Sequence, residues 1–295
     1  MAKKKAGSIA VPYLITIFIG ILVVGGGTFF LLNYLGIIGK EKELSEPTPR
    51  QVVTSTYEDN HTILFILDEP EQKCKHTFML MRSIPKDKKV AFVGIPSNTI
   101  AIIDEKQASL DGSYENGGCA EAVRFTESVF GITIDRYLKL DSASFTKICD
   151  ILGGVTYPVP EEVVGFDADG TGQYLNAEQI DRLITYAMFS GGEIQRAYTA
   201  GSVISDMVNQ ADGVRIADSF DSNFNTIINM TKSTDTNITA VDYKKHKVAI
   251  KNMLERGNSI ASFFIMDGEN AEEDFIPNSA FINDFKDRFY KEKYE

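Results

Sequence analysis

The chain has 295 residues, a net charge of −11 and three cysteines. Residues 1–43 hold five lysines against two glutamates, so the remainder carries −14; that balance excludes nucleic acid as a partner, because a phosphate backbone needs a basic face. Cys74, Cys119 and Cys149 show no CxxC or Cys/His spacing, which argues against a sulfur-bound metal; they read as small buried apolar residues, with at least one thiol unpaired.

Residues 6–39 carry no charged side chain, and Lys3, Lys4 and Lys5 precede them. The apolar run Tyr13–Leu32 spans a hydrocarbon core of ~30 Å as a helix. It is too long for the apolar region of a cleaved leader, and its Gly25-Gly26-Gly27 triplet is followed by more apolar residues rather than ending the run. The lysines hold the N-terminus on the cytoplasmic side. The expected organisation is a cytoplasmic tail at 1–9, a single transmembrane anchor at 10–39, a linker at 40–59 with Glu46-Pro47-Thr48-Pro49, and an extracytoplasmic domain at 60–295.

That domain opens with strand-like runs at Thr62–Leu67, Thr77–Ile84 and Val90–Ile95, joined by Glu71-Gln72-Lys73 and by Pro85–Lys88. Near-continuous apolar strands suit a sheet covered on both faces. A turn at Glu115–Gly118 is expected to open a helix over Ala120–Phe130. A strand at Arg136–Leu140 leads into a helix over Phe145–Leu152, capped by Asp141 or Ser142 and stopped at Gly153-Gly154. Val155–Val159 reads as a strand and Asp167–Gly172 as a turn; its Asp167, Asp169 and Gly170 lack the remaining ligands of a calcium loop. Asn176 caps a predicted helix over Ala177–Phe189, Gly191-Gly192 breaks it, and a second helix runs to Val208. Helices at Asn223–Met230 and Ala240–Glu255, a strand at Ser259–Ile265 and a helix at Ser279–Tyr290 complete the prediction.

The order of these elements, with Gly94-Ile95-Pro96-Ser97-Asn98-Thr99, Ser113–Gly118, the block 130–160, Tyr174–Phe189 and Gly191–Ile204, resembles the LytR-CpsA-Psr family of cell-envelope proteins. The resemblance covers roughly residues 60–290. It implies an α/β fold, an α/β/α sandwich with a central mixed β-sheet on a single N-terminal transmembrane helix. It also implies transfer of anionic glycopolymers from an undecaprenyl-pyrophosphate carrier to peptidoglycan. Several arginines and a carboxylate-held Mg²⁺ would neutralise the pyrophosphate, and an apolar channel would hold the polyprenyl tail.

The chain departs from the family pattern at charged positions. Four arginine positions carry Ser97, Met188, Ser190 and Thr199, and two aspartate positions carry His76 and Asn98. Arg196 matches, with Glu193 in place of an aspartate. Four lost phosphate contacts, each worth on the order of 1.5–3 kcal/mol, remove most pyrophosphate binding. The expectation is therefore a cell-envelope protein that binds glycopolymer, lipid-linked precursor or a partner without efficient transfer; the alternative is an active phosphotransferase. No catalytic residue is assigned, and no cofactor is expected unless family activity, and with it Mg²⁺, is retained. The ligand-binding candidates are Arg196, Glu193, His76 and Arg82, with Arg124 a further basic side chain. Arg196 is read either as a phosphate ligand or as the i, i+3 partner of Glu193. Ile180, Leu183, Ile184 and Met188 are read either as channel lining or as ordinary core.

Overall fold

The apolar runs that open the domain lie side by side in a six-stranded sheet. The computed structural model describes residues 55–68, 76–167, 170–209, 212–232, 235–256 and 259–291, all within one compact unit, Val53–Glu295. The anchor reading, the linker before residue 55, Cys74, Asp169 and the Glu71-Gln72-Lys73 connection lie outside the described residues. Among the described residues no helix is long and apolar enough to cross a membrane.

In chain order, a 3-10 turn at Tyr57–Asp59 leads into β1 (His61–Asp68), β2 (Thr77–Ile84) and β3 (Lys89–Ile95). A hairpin of β4 (Ile100–Ile103) and β5 (Lys106–Ser109) follows, then α1 (Leu110–Phe130), β6 (Arg136–Asp141) and α2 (Ser142–Leu152). Next come β7 (Val155–Pro158), β8 (Gly172–Leu175), α3 (Ala177–Ile184), α4 (Gly192–Val208) and α5 (Gly213–Lys232). The chain closes with β9 (Asp235–Thr236), α6 (Ala240–Arg256), β10 (Ala261–Ile265), the hairpin β11 (Gly268–Ala271) and β12 (Asp274–Pro277), and α7 (Ser279–Phe289).

The central sheet has the order β10-β3-β2-β1-β6-β9. β1 pairs with β6, and β3 with β10, in parallel; the other neighbours are antiparallel. Side chains alternate between faces. Leu64, Ile66, Phe78, Leu80, Ala91 and Val93 pack in one cluster with Phe125, Phe130 and Phe285 of α1 and α7. Leu67, Leu138 and Leu140 pack on the opposite face with Phe145, Ile180, Leu183 and Val203 of α2, α3 and α4. Both faces are thus covered, which explains strands without polar alternation. Each large side chain fully buried this way contributes about 1.5–3 kcal/mol.

One contact fixes the height of α4 above the sheet. A Cβ on Gly94 would stand 1.9 Å from the Ala197 carbonyl oxygen, so the helix backbone rests on the strand backbone. Gly201 faces the same point, its Cβ position 3.5 Å from the Gly94 nitrogen.

Four local readings are corrected. Glu115–Gly118 does not open a helix: α1 starts at Leu110 with Ser109 as its cap, and Gly118 at φ 63° kinks it. The helix expected to Phe189 stops at Ile184; Tyr186 and Phe189 meet edge to face, and the Tyr186 hydroxyl donates to the Glu162 carbonyl at 2.8 Å. The helix expected at Asn223 begins at Gly213. The predicted strand at Ser259–Ile265 starts at Ala261, because Ser259 adopts a positive φ of 58°.

Candidate functional site

β1, β3 and β6 end at one edge of the sheet, where β2 begins. Ligands of open α/β sheets sit outside the carboxyl ends of their strands. Arg196, at the start of α4, reaches this edge. Its Nε donates to Glu193 Oε1 at 3.1 Å, one terminal nitrogen bonds Thr77 Oγ1, and the other donates to the His76 carbonyl at 2.9 Å and to Glu193 Oε2. Arg196 is 3% exposed. Ser97 is fully buried and its hydroxyl donates to Glu193 Oε2 at 2.5 Å. Thus Arg196, Glu193, Ser97 and His76 come together, and the guanidinium pairs with Glu193 inside the protein.

His76 continues the cluster. Its Nδ1 lies 2.8 Å from Asp111 Oδ1 and its Nε2 lies 3.1 Å from Asp68 Oδ1. Asp68 Oδ2 bonds Lys139 Nζ at 2.8 Å and accepts from the Tyr114 hydroxyl at 3.1 Å. Burial lowers the His76 pKa, yet the hydrogen bond to Asp111 and the charges of Asp111, Asp68 and Glu115 outweigh it and raise the pKa above the ordinary imidazole value. Burial would raise Asp68, but Lys139, Tyr114 and His76 hold it below the carboxylate range. Burial, above all, pushes Tyr114 up to about 12. Arg196, Lys139 and, when protonated, His76 face the carboxylates of Glu193, Asp68 and Asp111. The basic groups are paired within the cluster, so a polyanion entering it has to displace internal partners.

Asp68, Asp111, Lys139, Tyr114 and Thr77 were not singled out from the sequence. Their one signal is a charged residue at or near the end of each buried strand. Arg82 is not at this site. It is 8% exposed near the other end of β2, where it donates to Thr62 Oγ1 at 3.1 Å and to the Phe289 carbonyl at 3.3 Å, and stacks 4.4 Å above Tyr290. Arg124 pairs with Glu121 and Asp104 on the surface. Asn98 Nδ2 turns to the Glu273 carbonyl at 2.6 Å. Thr199 is buried, its hydroxyl bonded to the Gln195 carbonyl at 2.8 Å. Met188 is 76% exposed and Ser190 donates its N–H to Glu162 Oε2 at 2.9 Å, both in the loop after α3. Cys119 and Cys149 are free and buried.

Mg²⁺ takes carboxylate and water oxygens in an octahedron. Here the carboxylates flank an imidazole and are bonded to cations, and among the described residues no group of three or more His, Cys, Asp or Glu side chains is placed to hold a metal. The donor set does not fit the ion.

Thr77 also marks one end of an apolar cavity of about 370 Å³, within the range of small-ligand pockets. It lies between the sheet and α2, α4, α5 and α6; Phe65, Met79, Leu138, Phe145, Ile204 and Phe224 line it. Ile184 lines it too, while Ile180 and Leu183 belong to the solid core. β1 and β2 run antiparallel, Leu67 opposite Thr77 and His61 opposite Ser83, so the cavity follows them from Thr77 to a second polar end at Asp59, His61, Arg136, Asp242 and His246.

Fold and site together define an α/β domain with an apolar cavity under one sheet face and a cluster of paired charges at the strand ends. The chain belongs to the LytR_cpsA_psr family, whose model matches residues 38–273. It is 28% identical over 149 residues to the polyisoprenyl-teichoic acid–peptidoglycan teichoic acid transferase TagU of Bacillus cereus, covering 46% of this chain and 49% of that protein. The chain therefore spans about half the length of the curated relatives it matches. A Eubacterium siraeum structure described as a transcription regulator superposes with a TM-score of 0.68 at 21% identity, covering 80% of this chain and 93% of that one. Bacillus subtilis TagV gives 0.58 at 17%, covering 79% and 96%. Both show the same fold.

Proposed function

We propose that this protein is a membrane-anchored, extracytoplasmic member of its family that holds a lipid-linked envelope glycopolymer or its precursor without transferring it efficiently. The observation that carries this reading is the state of Arg196. The one arginine that matches the family's phosphate positions is buried and spends its donors on Glu193, Thr77 and His76, while the apolar cavity beside it is intact. Apolar binding is thus retained where charge stabilisation of a leaving pyrophosphate is not. The transferase names of the relatives favour the second reading, an active phosphotransferase.

The full chain should bind a polyprenyl pyrophosphate through its tail yet release no phosphate and move no polymer to peptidoglycan at any Mg²⁺ concentration. Turnover of ~1 s⁻¹ or more, ordinary for an enzyme, would establish the phosphotransferase instead. For the anchor, Lys3, Lys4 and Lys5 before the uncharged residues 6–39 predict that a reporter fused after Glu295 is active only outside the membrane. Activity on the cytoplasmic side defeats that topology.

A further inference from the structure

At the cavity end remote from Arg196, two imidazoles meet. The rings of His61 and His246 are 4.2 Å apart, edge to face. His61 Nδ1 donates to the Asp59 carbonyl at 2.9 Å, and His246 Nδ1 lies 2.9 Å from Asp59 Oδ1. His246 is 6% exposed and belongs to α6, which forms one wall of the cavity through Tyr243, Ile250, Met253 and Leu254. Two ion pairs tie this wall to the sheet end: His246–Asp59 and Arg136–Asp242. α6 is joined to α5 by the stacked Phe224 and Tyr243 rings, by the Tyr243–Asp221 hydrogen bond and by the Lys247–Asp221 and Lys251–Asp218 pairs. The two helices therefore form one wall, latched at its edge.

We propose that the His61–His246 pair is an acid-released latch on the apolar cavity, freeing the α5–α6 wall so that a lipid chain enters or leaves at this end. Protonation of both rings places a charge on His61, a half-buried ring whose Nδ1 donates to a carbonyl, beside a second imidazolium. Repulsion at 4.2 Å in a partly apolar setting is large. The charged groups around the pair are Asp59 on the entering turn, Asp135 and Arg136 at the start of β6, and Asp242 on α6. Lys86 on the 85–87 turn sits over Tyr57 at 4.1 Å. Asp242 is already engaged by Arg136, which holds it well below the carboxylate range, and Asp135 acts on His61 by charge alone while accepting from the Thr62 N–H, leaving Asp59 as the carboxylate that contacts the pair directly. Burial lowers the His61 pKa. The closed form therefore binds fewer protons than the open form, and falling pH through the unperturbed imidazole range near ~6.5 favours opening.

The latch concerns access to the cavity and stands independently of any ligand at the Arg196 end. The test uses the full chain in detergent micelles and a fluorescent prenyl alcohol, whose head does not titrate, with empty micelles as the blank. Uptake followed by stopped flow should accelerate about tenfold between about pH 7.5 and about pH 5.5, the size of a one-unit coupling. His61→Asn should flatten this profile. Nuclear magnetic resonance of the two imidazoles in the unaltered protein should give a titration midpoint that coincides with the uptake midpoint, a check that needs no variant to fold. Uptake independent of pH overturns the proposal. So does a profile unchanged in folded His61→Asn, or an imidazole midpoint more than about one unit from that of uptake.

Discussion

Glu193→Ala should destabilise the domain by about 3 kcal/mol, the lower end of the range for removing one partner of a buried ion pair. Arg196 is 3% exposed and Glu193 supplies both carboxylate oxygens to it. Without them the guanidinium keeps only Thr77 and the His76 carbonyl, and Ser97 loses its acceptor. The value sits at the lower end because the Glu193 side chain retains 21% exposure. For a domain of this size the melting temperature should fall by roughly 10 °C. Glu193→Leu combined with Arg196→Met should recover most of the loss, because neither charge is then stranded. Unchanged melting in Glu193→Ala, with weakened pyrophosphate binding, would instead make these residues ligand-binding groups.

A second large effect is expected at Gly94. An alanine there places a methyl 1.9 Å from the Ala197 carbonyl oxygen, so α4 has to rise by roughly an ångström or more, which a close-packed interior does not allow without repacking. The helix carries Ala200 and Val203 into the core and Arg196 into the cluster. Overpacking against backbone should cost ~3 kcal/mol or more. Denaturant unfolding should show a lower midpoint with an unchanged slope. Gly201→Ala is the control: its Cβ stands 3.5 Å from its nearest neighbour, an ordinary contact, and alanine favours helix by up to ~1 kcal/mol. Equal stability of the two variants would show that the strand and helix backbones do not touch as described.

The sequence was most legible where burial on both faces left a continuous apolar run, as in β1, β2 and β3, and where a cap residue stood before a helix, as with Asn176 and Asp141. Both small hairpins were invisible. The β4–β5 turn uses Asp104 and Glu105, both at positive φ, and the β11–β12 turn uses Glu272 at φ 59°; neither carries the Asn-Gly or Asp-Gly signature of such turns. At the site, Arg196 and Glu193 lie one helical turn apart and were readable together. Asp68, Asp111 and Lys139 come from β1, α1 and β6, and no spacing links them. Only the sheet, by ending its strands at one edge, makes them neighbours.

The seat of α4 on Gly94 also limits which side chains its neighbours accept. With no Cβ at position 94 the helix settles onto the strand, and Ser97 lies fully enclosed beneath it against Glu193. An arginine placed at 97 alone has no volume to occupy. The helix has to lift first, and lifting it breaks the Arg196 pairing that now holds this edge together. Positions 94 and 97 are therefore interlocked: neither accepts a larger side chain unless α4 gives up its seat, so volume at this edge is gained by moving a whole helix rather than by one substitution.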